Sequence, residues 1–246
     1  MSESKSCLVA KLKNYIDVDE NLENLLANLE KTEKNYGENT AVYHDGDTAK
    51  NLYVVKSGCF IGYTLLPDGG RMVTKIFHPG DIIGFDGIAF DYQAQDLKSC
   101  TEGCLCPFEK KELDVVFSIA PKLTALLFTL AVRDQIILVD RFRAATRMNA
   151  QDRITHFLLE IAHKLRMTNP DMTNEFLLPL TQSEIGDAIG LTNVSVSRAF
   201  KKMEEQGQIE RRKDKVILLE EKQMIQSISF EDRFSTIDTS WFPMSA

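Results

Sequence analysis

The stretch 177–219, LLPLTQSEIGDAIGLTNVSVSRAFKKMEEQGQIERRKDKVILL, constrains the fold most, because signals that start, turn and stop helices follow one another along it without a gap. Thr181 and Glu184 have the spacing of a capping box, which opens a short helix to Ile189 with Ile185, Ala188 and Ile189 on its inner face. Gly190 ends that helix at a tight turn, Thr192 caps a second helix from Asn193 to Gln206, and Gly207 supplies the left-handed residue that closes it. Two short helices around a glycine turn make a helix-turn-helix.

At about 100° per residue, Val196, Ala199, Phe200 and Met203 share one face of the second helix and pack inward. Val194, Arg198, Lys201 and, less directly, Ser197 then point outward. From Leu191 to Met203 there are three basic residues and no acid, in a chain whose net charge is −7. Such a local inversion is what a surface facing phosphates requires. Arg198 is the leading base reader, since a guanidinium can give two parallel hydrogen bonds to guanine O6 and N7. Val194 and Ser197 offer a methyl surface and a hydroxyl to neighbouring base edges. Arg211-Arg212-Lys213-Asp214-Lys215, between Ile209 and Val216-Ile217-Leu218-Leu219, reads as the tip of a β-hairpin wing. The expected contacts with double-stranded DNA are Thr181, Gln182, Ser183, Thr192, Asn193, Val194, Ser195, Ser197, Arg198, Lys201, Lys202, Arg212 and Lys213. Taken singly, such charges are the solvated face of a helix; the case for DNA is their combination with the caps, the turn and the wing.

A length of 246 residues suits two domains rather than one core. Residues about 30–110 are broken by glycine at short intervals, with β-branched and aromatic runs such as Leu52-Tyr53-Val54-Val55 between, the mark of an antiparallel sandwich or barrel. Pro67-Asp68-Gly69-Gly70 reads as a hairpin tip. From Glu112 to Met148 the period becomes helical, and Ala120, Leu123, Leu127, Leu130, Ile137 and Asp140 are the expected seam of a homodimer, against the plainer reading of a long helix packed on its own sheet. Asp134 and Asp140 lie on or beside it, where carboxylates would repel their symmetry mates unless they point to water. A second helix follows from Asn149 to Arg166, then a loop over 167–174. The expected division is a β-roll sensor over 1–111, a dimerisation helix and hinge over 112–148, a winged helix-turn-helix over 149–229 and a tail over 230–246, an α+β chain.

No window approaches the roughly 18 unbroken apolar residues of a membrane span, and the N-terminal residues lack a secretion signal, so the cytoplasm is the expected compartment and no membrane partner is expected. The five cysteines, Cys7, Cys59, Cys100, Cys104 and Cys106, suit reduced thiols better than a disulfide framework. No nucleophile–base pair, metal-ligand spacing or phosphate-cradling loop is evident, so neither an enzyme nor a metal site is expected.

The chain resembles the cyclic-AMP receptor and fumarate-nitrate regulator family of bacterial transcription factors. The resemblance rests on Leu52-Tyr53-Val54-Val55 with Ser57-Gly58, on Phe77-His78-Pro79-Gly80-Asp81-Ile82-Ile83-Gly84-Phe85-Asp86, on Cys104-Leu105-Cys106-Pro107-Phe108, on Asn149-Ala150-Gln151-Asp152-Arg153-Ile154, and most specifically on Leu180 through Gly186 and Val196-Ser197-Arg198. It implies a β-roll, a long dimer helix and a winged helix, a palindromic site, RNA polymerase as a partner, and an effector pocket about Gly84, Phe85, Asp86 and Gly87.

The departures carry information too. Cyclic-nucleotide binders have a Gly-Glu pair and an arginine in a phosphate cassette, whereas residues 84–96 hold no basic residue and carry Asp86, Asp91 and Asp96, so cyclic AMP is not expected. Oxygen-sensing relatives bind an iron–sulfur cluster through three N-terminal cysteines and one later one; Cys104 matches the later position, but only Cys7 precedes it in the N-terminal segment. Cys100, Cys104 and Cys106 remain candidates for redox thiols against plain packing, and His44, His78, His156 and His163 show no haem spacing. Many relatives place a glutamate where this chain has Val194, which predicts a half-site more tolerant of A·T at that position. The cofactor and the effector are not legible. The competing reading is a ligand- or redox-sensing β-roll protein whose winged helix makes protein contacts.

Overall fold

A computed structural model describes residues 6–243; the first five residues of the expected sensor and the last three of the expected tail lie outside the described residues. The chain divides into two compact units, Met1–Leu65 with Thr74–Val132 and Ile237–Ala246, and Leu66–Val73 with Arg133–Thr236.

The first unit opens with helices α1 (Cys7–Leu12) and α2 (Glu20–Leu29), each begun by a side-chain cap: Ser6 accepts from the Val9 amide and Asp19 from the Leu22 amide. Eight strands follow: β1 (Lys34–Tyr36), β2 (Ala41–Tyr43), β3 (Asn51–Ser57), β4 (Phe60–Leu65), β5 (Arg71–Phe77), β6 (Ile82–Ile83), β7 (Asp96–Ser99) and β8 (Gly103–Glu109). They form two four-stranded sheets, ordered β1-β8-β3-β6 and β2-β7-β4-β5. This is the expected β-roll.

Two apolar clusters follow from the period-two alternation of β3 and β8. Val55 and Leu105 join Tyr36, Tyr43, Phe60, Phe77, Ile83 and Leu97 in one. Leu52, Val54, Cys106 and Phe108 belong to the other, with Leu8 and Leu12 of α1 and Leu26 of α2. Helix α1 is held further by a buried ion pair between Lys11 and Asp81, whose other carboxylate oxygen accepts from the His78 amide at 2.8 Å.

The expected single helix over 112–148 is two helices, α3 (Glu112–Ile119) and α4 (Pro121–Arg147), bent by 114°. The cause is local. A residue before proline is pushed out of the helical region, and Ala120 takes φ −129° and ψ 67°. The division between the two units falls within α4, between Val132 and Arg133, rather than at its end.

The second unit holds the rest of α4, then α5 (Ala150–Arg166), β9 (Glu175–Leu177), α6 (Gln182–Ile189), α7 (Asn193–Glu205), β10 (Ile209–Arg212), β11 (Lys215–Leu218) and α8 (Glu221–Ile228). The strands make a sheet ordered β10-β11-β9. Ile154, Phe157, Leu158 and Ile161 of α5 are buried, as their spacing predicts. Arg141 of α4 grips Glu160 of α5, its Nε donating to Oε2 at 2.9 Å.

Much of the expected dimer seam is buried within the chain itself. Ala120 lies in the bend outside α4, and Leu123, Leu127 and Ile137 are 1%, 8% and 7% exposed. Leu123 and Leu127, with Leu130 against them, belong to the apolar cluster of the first unit. Asp140 is paired within the chain, accepting from Arg233 at 2.9 Å. The opposite face of α4 is the one left open: Phe128, Val132, Val139 and Phe142 are 63%, 41%, 61% and 69% exposed.

The expected tail supplies buried residues. Phe234 is buried, and Phe242 and Ile237 pack into the apolar cluster of the first unit. Among the described residues no single helix is long and apolar enough to cross a membrane.

Candidate nucleic-acid interface

Helix α6 begins with the capping box as spaced: the Thr181 hydroxyl accepts from the Glu184 amide at 3.2 Å, and Glu184 accepts in return from the Thr181 amide at 2.9 Å. Gly190 closes the helix at φ 69°, a left-handed conformation that glycine adopts without strain. Gly186 has a second role that patterning does not reveal: a β-carbon there would lie 2.4 Å from the carbonyl oxygen of Leu191. The turn can close only over a bare α-carbon.

Thr192 starts α7 by accepting from the Ser195 amide at 3.2 Å, and its hydroxyl meets the Ser195 hydroxyl at 2.9 Å. Val196, Ala199, Phe200 and Met203 are buried, which fixes the roll of the helix. Asn193, Val194, Ser197, Arg198, Lys201 and Lys202 are consequently exposed. Arg198 and Lys202 form no ion pair among the described residues, and Lys201 is only loosely tied, 3.7 Å from Glu205. At the start of α6, Thr181 and Ser183 are exposed and Gln182 is half-buried.

The wing is β10, β11 and their connection, in which Lys213 takes φ 59°. Its basic residues differ in role. Arg211 donates to Glu204 at 2.9 and 3.1 Å and lies 4.5 Å from the centre of the Phe200 ring, so it belongs to the packing of α7 against the wing. Arg212 is exposed but pairs with Glu210 at 2.6 Å. Lys213 and Arg212 stand at the tip; Thr181 and Thr192 are first of all caps.

In the β-roll, the four expected effector residues do not act alike. Gly84 and Gly87 are buried backbone positions, Phe85 packs on the apolar cluster under the sheet, and only Asp86 is exposed. Its carboxylate accepts from Gln95 Nε2 at 2.6 Å. Lys110, distant in sequence, brings a cation to this turn, but its ammonium donates to the carbonyls of Gly87 and Phe90. An anionic phosphate placed here would face Asp86 and an ammonium already engaged, so these residues do not fit a cyclic nucleotide. Two polar atoms of the same unit, Tyr43 Oη and Gln93 Oε1, are buried without a hydrogen-bond partner. Burial pushes the Tyr43 phenol up, and the nearby Asp86 charge pushes it further.

Among the described residues no cluster of three or more His, Cys, Asp or Glu side chains is placed to hold a metal, and the five cysteines are free thiols. Cys100, Cys104 and Cys106 are all buried. Burial raises the Cys104 thiol, the charge of Glu33 adds to it, and the sulfur donates to Glu33 at 3.8 Å. Cys106 is pushed up to about 12 by burial, with Cys104, Glu30 and Glu33 adding to it. Cys7 is raised by burial and by Glu30. Iron–sulfur ligation needs thiolates, which these carboxylates oppose, so the residues present do not fit a cluster.

Two family models match: a Crp-like helix-turn-helix domain over residues 152–226 and a cyclic nucleotide-binding domain over residues 33–118. Among curated relatives, the nitrogen fixation regulation protein FixK of Azorhizobium caulinodans is 27% identical over 78% of this chain and 77% of its own. The electron transport regulator A of Shewanella oneidensis is 26% identical over 73% of this chain and 71% of its own. The fumarate and nitrate reduction regulatory protein of Yersinia pestis is 25% identical over 79% of this chain and 77% of its own. Among solved structures, FixK2 of Bradyrhizobium japonicum superposes with a TM-score of 0.71 at 23% identity, covering 79% of this chain and 96% of that one, a likeness of fold.

Proposed function

Because the chain belongs to the CRP/FNR family of transcription regulators, on its two domain matches taken with its relatives, we propose that it binds an interrupted palindrome as a homodimer and answers to an effector at the β-roll. The observation that carries the reading is the exposed face of α7, where Val194, Ser197, Arg198 and Lys201 lie outward over a buried Val196-Ala199-Phe200-Met203 face. A guanidinium there meets guanine O6 and N7, the Ser197 hydroxyl meets a neighbouring base edge, and Thr181, Gln182, Ser183, Thr192, Asn193, Ser195, Lys202, Arg212 and Lys213 meet backbone phosphates. Valine at 194 has no acceptor for a cytosine amino group, so the half-site tolerates A·T at that step.

Two-fold pairing along α4 supplies the palindrome. Phe128, Val132, Gln135, Val139, Phe142 and Thr146 succeed one another by four and three residues, the alternation of a coiled-coil seam, and all are exposed. Two recognition helices on a two-fold axis read half-sites about one helical turn apart.

The effector is not a cyclic nucleotide, given Asp86 and the engaged Lys110. Tyr43 and Gln93 supply a hydroxyl and an amide oxygen for a ligand that carries a hydrogen-bond donor and no phosphate. Its binding biases how the α4 helices pair and thereby how the recognition helices are held. The protein acts in the cytoplasm, with RNA polymerase as its further partner. Selection from a randomised palindromic library followed by gel shift tests the reading. Enrichment of a two-fold site supports it. Failure to enrich any duplex, with retention of a protein partner through the winged helix, would favour the competing reading of a sensor that makes protein contacts.

A further inference from the structure

Residues 230–236 lie beyond the helix-turn-helix match, which ends at residue 226, yet several of them are tied to α4 and α5 by side-chain contacts. Helix α8 ends at Ser229 in the left-handed conformation, φ 50°, and this turns the chain back along two helices. On α5, the Phe230 ring lies against His156 at 5.6 Å and His163 at 5.2 Å, and Asp232 pairs with His163 Nδ1 at 3.0 Å. On α4, Arg233 donates to Asp140 at 2.9 Å, and buried Phe234 lies 5.2 Å from the Arg133 guanidinium. Asp232 also fixes the turn between these contacts, accepting from the amides of Phe234 and Ser235 at 2.8 and 3.3 Å.

We propose that residues 230–236 are a clasp across the elbow between α4 and α5, setting the angle at which the dimer helix presents the winged helix. The elbow itself is short: α4 ends at Arg147, and Asn149 already caps α5. The Arg141–Glu160 pair ties the two arms within a few turns of it. The Arg233–Asp140 pair sits beside it, and Phe234 and Asp232 carry the clasp further out, to Arg133 and His163. At about 1.5 Å per residue, Arg133 and His163 each stand roughly 20 Å from the elbow along their helices. A tie far from a vertex restricts the angle more than a tie beside it. Apart from buried Phe234, the anchors are of a kind that can be exchanged without remaking a core: one guanidinium–carboxylate pair, one imidazole–carboxylate pair and the half-buried Phe230 ring. The proposal rests on the reading of the chain as a dimeric DNA-binding regulator, since only there does the elbow angle set the spacing of two recognition helices.

The test uses the full chain carrying Arg233→Glu, and the same chain with Asp140→Arg added to restore the pair in reverse. Hydrogen exchange is followed at the amides of residues 145–153, and DNA binding by anisotropy on the selected palindrome. Arg233→Glu should speed exchange at the elbow and weaken DNA binding about fivefold or more, the low end of ordinary coupling, and the double variant should return both toward the parent. A well-folded Arg233→Glu chain with parental elbow exchange overturns the clasp, and so does a double variant that restores neither. A parent chain that binds no palindrome defeats the functional reading instead, and the exchange arm still decides whether the elbow is clasped.

Discussion

The amide of Leu191 donates to the carbonyl of Gly186 at 3.0 Å, and the carbonyl of Leu191 then occupies the place where a β-carbon on Gly186 would be. The turn between the two helices of the DNA-reading motif closes over this bare backbone position. Gly186→Ala is therefore expected to destabilise the protein by about 1–3 kcal/mol, the usual cost of overpacking, although alanine is the better helix former. A thermal melt that left Tm unchanged would show that the turn relaxes at no cost.

The outward stripe of α4 predicts the oligomeric state. Phe142→Glu places a charge on a face that is 69% exposed in one chain and desolvated in a pair. The expected product is a folded monomer by sedimentation, with a circular dichroism spectrum like the parent's. Leu127→Glu, on the inner face, is expected to unfold the first unit instead. A Phe142→Glu chain that stays dimeric would remove this stripe as the interface.

Three basic residues of the winged helix should separate by role. Arg198→Ala is expected to cost about 1–3 kcal/mol of DNA affinity and relax selectivity at one base pair. Lys213→Ala should weaken all duplexes alike and lower the salt slope by about one. Arg211→Ala should reduce Tm first, since its guanidinium serves Glu204 and the Phe200 ring. Anisotropy across a salt series, with melts beside it, distinguishes the three.

What patterning reveals and what it hides follow from distance along the chain. Thr181, Glu184, Gly190 and Thr192 act on neighbours within a few residues, so caps and turn are legible at sight. Periodicity alone cannot say which stripe of α4 a partner covers, because both faces are apolar: Leu123, Leu127 and Ile137 repeat as regularly as Phe128, Val132 and Val139. Asp140 offers local patterning no sign of its partner, because Arg233 is 93 residues away. Lys110 escaped notice for the same reason, being 23 residues from the Gly87 carbonyl it binds. The bend at Ala120 was legible in Pro121, but the regular apolar spacing on either side of it masked the break.

Acid should weaken the second unit in two stages. Burial holds His156 below its ordinary value of 6.5, although the charge of Glu160 opposes the shift. A histidine kept neutral by folding costs stability as pH falls below 6.5, where the unfolded chain takes up a proton and the folded one does not. Burial alone would raise Glu160, but the Arg141 guanidinium more than offsets it and the carboxyl ends below its ordinary range. Its contribution is present above about pH 4.3, the unfolded value, and is lost as pH falls through the folded one. Urea midpoints should thus decline from pH 7 to 5.5, and His156→Phe should flatten that first decline. An unaltered slope in the variant would assign the loss to another group.

The buried thiols should be inert. With Cys106 at about 12 and Cys104 raised as well, neither is a thiolate near neutrality. Iodoacetamide at pH 7.5 is expected to leave both unmodified in the native protein, as mass spectrometry of peptides reports, and diamide should leave DNA affinity unchanged. Rapid modification of Cys104 with loss of binding would reinstate a redox role.

The placement of Phe242 in the apolar cluster of Leu8, Leu12, Leu123 and Leu126 bears on synthesis. A ribosome delivers the β-roll early, but that cluster is complete only after the whole DNA-reading unit and then residue 242 have emerged. A chain cut short before residue 242 would therefore carry an intact recognition helix on an unfinished core, and quality-control proteases would see the defect before any operator did.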